Sequence, residues 1–130
     1  MNNCPFLLSL FNKIFFHIIV CNVLLKKIVA RPRPYNVVEG LTSILGKLSD
    51  YSFPSGHTAV CFLGAYIIYT KLSKHWGVVA YVFAAITAFS RMYLGVHYLT
   101  DVLFGALIGC FNGYIAIKIT EYILKKKEIA

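Results

Sequence analysis

Stretches of apolar residues long enough to cross a lipid bilayer set the strongest limit on what this chain can become. A helix needs about 20 mostly apolar residues to span the hydrocarbon. Roughly four candidate stretches occur, Pro5 to Leu25, His57 to Leu72, Trp76 to Phe89 and Tyr98 to Leu124, the middle two shorter than the others. Backbone polar groups in hydrocarbon must bond internally, so the expected fold class is all-α, an integral-membrane helical bundle with about four transmembrane helices. Composition agrees. Of 130 residues, 58% are hydrophobic and only 14% charged, and the mean hydropathy is +0.69, which excludes an ordinary soluble domain and fits a single membrane domain over residues 1–130.

Thirteen Lys and Arg against 5 Asp and Glu leave a formal charge of +8, which admits nucleic acid, an anionic membrane surface or a phosphorylated substrate. Nucleic acid fits worst, because the basic residues flank apolar spans and trace no soluble groove, so no nucleic-acid partner is expected. Cys4, Cys21, Cys61 and Cys110 stand singly in apolar stretches, with no C-x-x-C pair and no zinc-finger spacing, and read as lipid-facing or core residues. The segment from Pro5 to Leu25 has neither a basic start nor a small-residue cleavage site, so it is expected to stay in the membrane. Lys13 and His17 within it must snorkel or face a polar cavity.

Residues Lys26 to Pro54, with Arg31, Pro32, Arg33, Pro34, Glu39, Gly40, Lys47 and Asp50, are expected to form a long polar connection outside the hydrocarbon. Lys71 to His75 reads as a tight basic junction, Arg91 to His97 as a second polar break, and Lys125 to Lys127 as a membrane-surface anchor. Alternate threading puts the long connection, the start of the second helix and the Ser90 to Asp101 turn on one face. Lys71, Lys74 and the Lys125 to Lys127 run fall on the other, which the positive-inside rule makes cytoplasmic. The first face is then extracytoplasmic, and the plasma membrane is the expected location.

The polar residues of that first face concentrate in three segments. They are Lys26 with Arg33-Pro34 seven residues on, Pro54-Ser55-Gly56-His57, and Ser90-Arg91 followed by His97 and Asp101. His97 and Asp101 are four residues apart and share a face on a helix, so the carboxylate can accept a hydrogen bond from one imidazole nitrogen and leave the other free to attack. Phosphoryl transfer needs mainly positioning and neutralisation of the charge on the phosphate oxygens. Lys26, Arg33 and Arg91 offer that countercharge, arginine as a planar fork and lysine as a point charge. Ser55 and Gly56 open an apolar helical stretch, where backbone N–H groups can hold an anion and Gly lets the backbone come close. His57 at the same end is placed to protonate a leaving oxygen.

In this order and spacing the three segments resemble the signature of the type 2 phosphatidic acid phosphatase and vanadium haloperoxidase superfamily, over Lys26 to Asp101. The resemblance implies a membrane lipid phosphatase that removes a terminal phosphate through a phosphohistidine. In the family the histidine matching His97 attacks phosphorus, the aspartate matching Asp101 orients it, and the histidine matching His57 protonates the leaving group. The positions matching Lys26, Arg33, Ser55, Gly56 and Arg91 bind the phosphate. No metal or other cofactor is implied in the phosphatase branch. The implied partners are membrane lipids and a lipid phosphate substrate, with undecaprenyl diphosphate, phosphatidylglycerol phosphate and phosphatidic acid as candidates. Longer members carry further spans before the first motif, so the chain is expected to be a minimal member or to lack those N-terminal helices.

Blander readings stand beside these. Lys26 and Lys27 can be snorkelling anchors, Pro54 to Gly56 a helix-start turn capped by Ser55, and His57 and His97 interfacial, as His17 and His75 are expected to be. Arg31 has no lysine seven residues before it and reads as a surface or secondary phosphate contact. Tyr51, Phe53, Trp76, Tyr93 and Tyr98 are expected to set membrane depth, and Gly95, Gly105 and Gly109 to permit close helix packing, the last two at small-x-x-x-small spacing. The rival functions are a non-catalytic lipid-phosphate-binding protein of the same fold, a vanadate-dependent haloperoxidase, and a transporter or channel fragment. The presence of His97 and Asp101 weighs against the first, the apolar stretches against the second and the three-segment match against the third.

Overall fold

A computed structural model describes residues 22–129 together with Asn12, Phe16 and Val20, and every regular element among the described residues is helical. The elements are α1 (residues 22–29), α2 (Pro34–Val37), α3 (Gly56–Ile67) continued by a π-helical turn (Ile68–Leu72), α4 (Lys74–Tyr93) and α5 (Leu99–Ile129). Most of the stretch expected to form the first span, with Cys4, Lys13, His17 and Cys21, lies outside the described residues. Among the described residues two helices, α4 and α5, are long and apolar enough to cross a membrane, against the four spans expected. Only 17% of the apolar window of α4 and 28% of that of α5 is buried inside the protein. Val82, Phe83 and Ile86 on α4 and Leu103, Leu107 and Phe111 on α5 are all exposed. An outward apolar surface of this extent fits hydrocarbon as the surrounding solvent.

Several boundaries differ from the sequence expectation, each for a local reason. Residues 22–29 are helical, so Lys26 and Lys27 belong to α1 and not to the polar connection, which begins at Ala30. Pro34 takes the first position of α2, where its missing N–H is not needed. α4 runs on through Ser90 and Arg91 to Tyr93, with the Arg91 cation in its last turn, where the helix dipole favours it. The expected break at Arg91 to His97 therefore narrows to the turn after Tyr93. That turn is a Schellman arrangement: the Gly95 N–H donates to Met92 O at 2.9 Å and the Val96 N–H to Arg91 O at 3.3 Å. It requires a left-handed residue, and Gly95 supplies φ +71. Gly95 thus serves the chain reversal and not helix packing.

α5 starts at Leu99, so His97 sits ahead of the helix that carries Asp101 and the two do not share a helical face. Asp101, in the first turn, reaches back to accept the Tyr98 N–H at 2.9 Å, the reciprocal half of a capping box.

α3 packs against both long helices. Its contact with α5 runs along Gly105, Gly109 and Gly113. A Cβ on Gly105 would stand 2.7 Å from Ser55 O, one on Gly109 2.3 Å from Ala59 O, and one on Gly113 2.9 Å from the Tyr66 ring. These approaches are open only to glycine, as the small-residue spacing predicts. Against α4, Phe62 and Tyr81 meet edge to face with ring centroids 5.8 Å apart. At the end of the bundle away from the start of α3, Lys71 and Glu121 form an ion pair.

The seam gives a stability prediction. Gly109→Ala forces Cβ into the Ala59 carbonyl, whereas Gly64→Ala meets nothing within 4 Å. Overpacking of this kind costs about 1–3 kcal/mol. Gly109→Ala is expected to lower the melting temperature in detergent by several degrees and Gly64→Ala to leave it unchanged or higher. Equal melting of the two variants would show that the seam does not govern packing.

Candidate active site

A cavity of about 530 Å³ opens where the starts of α3 and α5 and the end of α4 meet. Lys26 enters it from α1, Arg33 and Asp50 from the connection, Gly56 and His57 from the start of α3, Arg91 from the last turn of α4, and His97 from the turn before α5. Val23, Val60 and Cys61 form an apolar side that runs down between α1 and α3, with the buried amide of Asn22 beside them, its Oδ1 without a hydrogen-bond partner. A charged rim above an apolar wall suits an amphiphile whose headgroup is anionic.

His97 is buried, with Nδ1 3.6 Å from Oδ2 of Asp101 and Nε2 3.5 Å from Nη1 of Arg33. Nδ1 has no hydrogen-bond partner within bonding distance. A movement of a few tenths of an ångström would close the Nδ1 contact, and such bonds commonly tighten only when the reacting group is bound. Asp101 is fully buried and does not line the cavity. It accepts from Ser52 Oγ, from the Tyr98 N–H and, on Oδ1, from Arg31 Nη1 at 2.8 Å. In the Nδ1–H tautomer the proton faces Asp101 and the lone pair of Nε2 faces the cavity beside a guanidinium.

The three cations differ in their engagement. Arg33 is buried, donates to Val96 O at 2.8 Å and Asp50 O at 3.0 Å, and pairs with the Asp50 carboxylate at 2.5 Å. Lys26 pairs with the other Asp50 oxygen and donates to Tyr51 O at 3.2 Å. Arg91 makes no ion pair among the described residues, and its Nε is buried without a hydrogen-bond partner. Partial burial works to raise the Asp50 carboxyl, but the hydrogen bonds and charges of Lys26 and Arg33 outweigh it and hold Asp50 below the ordinary carboxylate value.

The structure therefore brings Lys26, Arg33, Gly56, His57, Arg91 and His97 to one cavity, with Asp101 directly behind His97. Ser55 is the exception. It is wholly buried, its hydroxyl meets Thr58 Oγ1 at 2.9 Å and its N–H donates to Asp101 O at 3.0 Å, so it offers the cavity no side-chain group and caps no helix by its side chain. The reason is the close approach at Gly105, which presses the start of α3 onto α5. Arg31 is not a phosphate contact in this cavity. Its guanidinium lies over the Tyr98 ring, 3.9 Å from the centroid, and pairs with Asp101. Tyr98 is thereby a stacking platform and not only a depth marker. Asp50 and Ser52, which no motif marks, complete the set; the one signal for them was their place in the polar run just before Pro54.

A family model described as the PAP2 superfamily matches residues 5–125. The chain belongs to the PAP2 superfamily. Among PAP2 relatives, an undecaprenyl-diphosphatase of Sulfolobus acidocaldarius is 32% identical over 101 residues, which cover 78% of this chain and 49% of that protein. Phosphatidylglycerophosphatase B of Bacillus subtilis is 39% identical over 90 residues, 62% of this chain and 44% of its own length. The crystal structure of a transmembrane PAP2-type phosphatidylglycerolphosphate phosphatase from Bacillus subtilis superimposes with a TM-score of 0.69 at 29% identity, covering 95% of this chain and 61% of that one. The chain spans about half the length of the curated relatives it matches.

The Asp50 bridge gives this PAP2 site a pH signature. A carboxyl depressed in the folded state contributes stability above its unfolded value, near 3.8, and loses that contribution as pH falls through the folded value. Asp50→Asn is expected to melt slightly below wild type at pH 7, the gap being small because the Asp50 side chain is half exposed and screened. The gap should begin to narrow as pH falls below about 4 and close only once pH has fallen through the lower folded-state value, where the wild-type carboxylate is itself neutralised. A gap that stays constant from pH 7 into that acid range would remove the bridge from the stability of the site.

Proposed function

We propose that this PAP2 chain is a membrane lipid phosphatase that hydrolyses the terminal phosphate of a lipid phosphate or diphosphate. The observation that carries the reading is the convergence of His57, His97, Lys26, Arg33 and Arg91 on one cavity whose remaining wall, Asn22 and Asp50 aside, is apolar. The names of the relatives, which act on undecaprenyl diphosphate and on phosphatidylglycerol phosphate, support the substrate class. Undecaprenyl diphosphate is the first candidate, followed by phosphatidylglycerol phosphate and phosphatidic acid.

In this reading the phosphate binds Arg91, Lys26, Arg33 and the Gly56 backbone at the start of α3, displacing Asp50 from the two cations it bridges. Nε2 of His97 attacks phosphorus while the bond to the lipid oxygen breaks and that oxygen takes a proton from His57. Asp101 stabilises the charge that His97 gains, through Nδ1–H. Water then attacks the phosphohistidine, His57 accepts its proton, and inorganic phosphate leaves. Ser55 acts through the backbone, holding the start of α3 against α5. The headgroup reaction is placed at the bilayer surface with the tail between α1 and α3, in a bundle of about four spans whose site faces outward across the plasma membrane. In this reading no metal is needed, because Lys26, Arg33 and Arg91 supply the countercharge to the phosphate.

The test is phosphate release in detergent from a panel of lipid phosphates and an aryl phosphate. Wild type is expected to be active with EDTA present and to be inhibited competitively by vanadate. His97→Ala should be inactive on every substrate. His57→Ala should lose about 10²–10⁴-fold on a lipid substrate, whose leaving alkoxide needs a proton, and much less on the aryl phosphate. Rapid quench should trap label in wild type and, with the aryl substrate, in His57→Ala. Label trapped in His97→Ala would move the nucleophile elsewhere, and activity abolished by EDTA and restored by Mg²⁺ would refute the metal-free route.

A further inference from the structure

We infer that Arg31 and Ser52 are positioning residues that act on His97 through Asp101, an inference that rests on the phosphatase reading above. Neither residue lines the cavity, so neither can serve a phosphate held there. Both instead end on the carboxylate behind His97. Arg31 Nη1 donates to Oδ1 of Asp101 at 2.8 Å, and Ser52 Oγ donates to Oδ2. The pair is itself braced. The Arg31 guanidinium is held over Tyr98, its Nη1 also donates to Thr100 Oγ1 at 2.6 Å, and the Ser52 N–H donates to the Arg31 carbonyl at 2.9 Å.

The geometry has a definite consequence for the two oxygens. Arg31 anchors Oδ1 and so stops the carboxylate from turning about its Cβ–Cγ bond. Oδ2 then stays directed at Nδ1 of His97, 3.6 Å away. A carboxylate with no solvent exposure also needs a compensating charge, and Arg31 supplies it at the oxygen that does not face His97. When Nε2 bonds to phosphorus the imidazole becomes cationic, and Nδ1–H becomes a charge-assisted donor to an oxygen already in place. Arg31 and Ser52 therefore stabilise the transition state and the phosphohistidine and leave substrate binding untouched.

The experiment measures kcat and KM for lipid and aryl phosphates with the full chain in detergent, comparing Arg31→Gln, Arg31→Lys, Ser52→Ala, Asp101→Asn and the Arg31→Gln/Asp101→Asn double variant, with melting temperatures for each. Arg31→Gln should lower kcat about 10- to 100-fold, the worth of a hydrogen bond to a charged group that is fully made only in the transition state, with KM unchanged. Arg31→Lys should recover part of the loss and Ser52→Ala should show a smaller one. The double variant should be no slower than Asp101→Asn alone, because both changes act through one carboxylate. A purely structural role would make the two losses multiply, and that result overturns the inference. So does an unchanged kcat, or a raised KM at constant kcat, which would make Arg31 a direct phosphate contact. If Arg31→Gln does not fold, Ser52→Ala with its Asp101→Asn double variant carries the same criterion. Wild type inactive on the whole panel refutes the phosphatase reading and this inference with it, whereas active wild type with multiplying losses refutes this inference alone.

Discussion

An ionised carboxylate removed from solvent is tolerated only where its charge and its lone pairs are all met, and Asp101 is fully buried. Its partners come from separate parts of the chain: Arg31 and Ser52 from the connection, the Tyr98 N–H from the turn before α5, and His97 across the gap. The Asp101 carbonyl also takes the N–H of Ser55 at the start of α3. Satisfying one residue thus folds the polar connection down over the bundle end. That fold in turn brings Arg33 and Asp50 to the cavity mouth, because Arg33 lies two residues beyond Arg31 and Asp50 two before Ser52.

Hydrocarbon gives apolar helices no hydrophobic reason to associate, so the bundle depends on contact distance. The Gly105, Gly109 and Gly113 seam allows α3 to lie against α5 with the Ser55 and Ala59 carbonyl oxygens and the Tyr66 ring where side chains of α5 would normally be. The seam reaches the site at Gly105, beside Ser55. His57 and His97 share a cavity because two helix starts, joined by a glycine contact, stand at the same end of the bundle. The left-handed turn at Gly95 delivers the third element, reversing the chain from Arg91 to His97 so that a cation at the end of α4 and an imidazole before α5 face one space.

The helical, membrane-adapted character of the chain was legible from hydropathy, and six of the eight site residues named from the motifs line the cavity, with Asp101 just behind. Ser55 was read as a phosphate contact, with a helix cap as the blander alternative, and its side chain does neither, because the start of α3 lies against α5 at Gly105 and its hydroxyl meets Thr58. The four-residue spacing of His97 and Asp101 suggested a shared helical face, yet the helix begins between them. Their proximity survives because Asp101 turns back toward the Tyr98 N–H at the helix start. Arg31 was read as a surface or secondary phosphate contact because no lysine stands seven residues before it, and a charge beside Pro32 in a polar run carries no periodic marker of burial.

Local and compositional properties were determined by the sequence alone: where the long apolar runs lie, where proline, glycine and charge interrupt them, and which residue types could bind and cleave a phosphate ester. Those properties depend on neighbours along the chain or on a residue's own chemistry. The partners of Asp50, Ser52 and Arg31 were decided only in three dimensions. Asp50 meets Lys26 across 24 residues, Ser52 meets Asp101 across 49, and Arg31 meets Asp101 across 70. No periodicity links positions that far apart, and the glycine-set distance between α3 and α5, with the burial of one carboxylate, is what makes them neighbours.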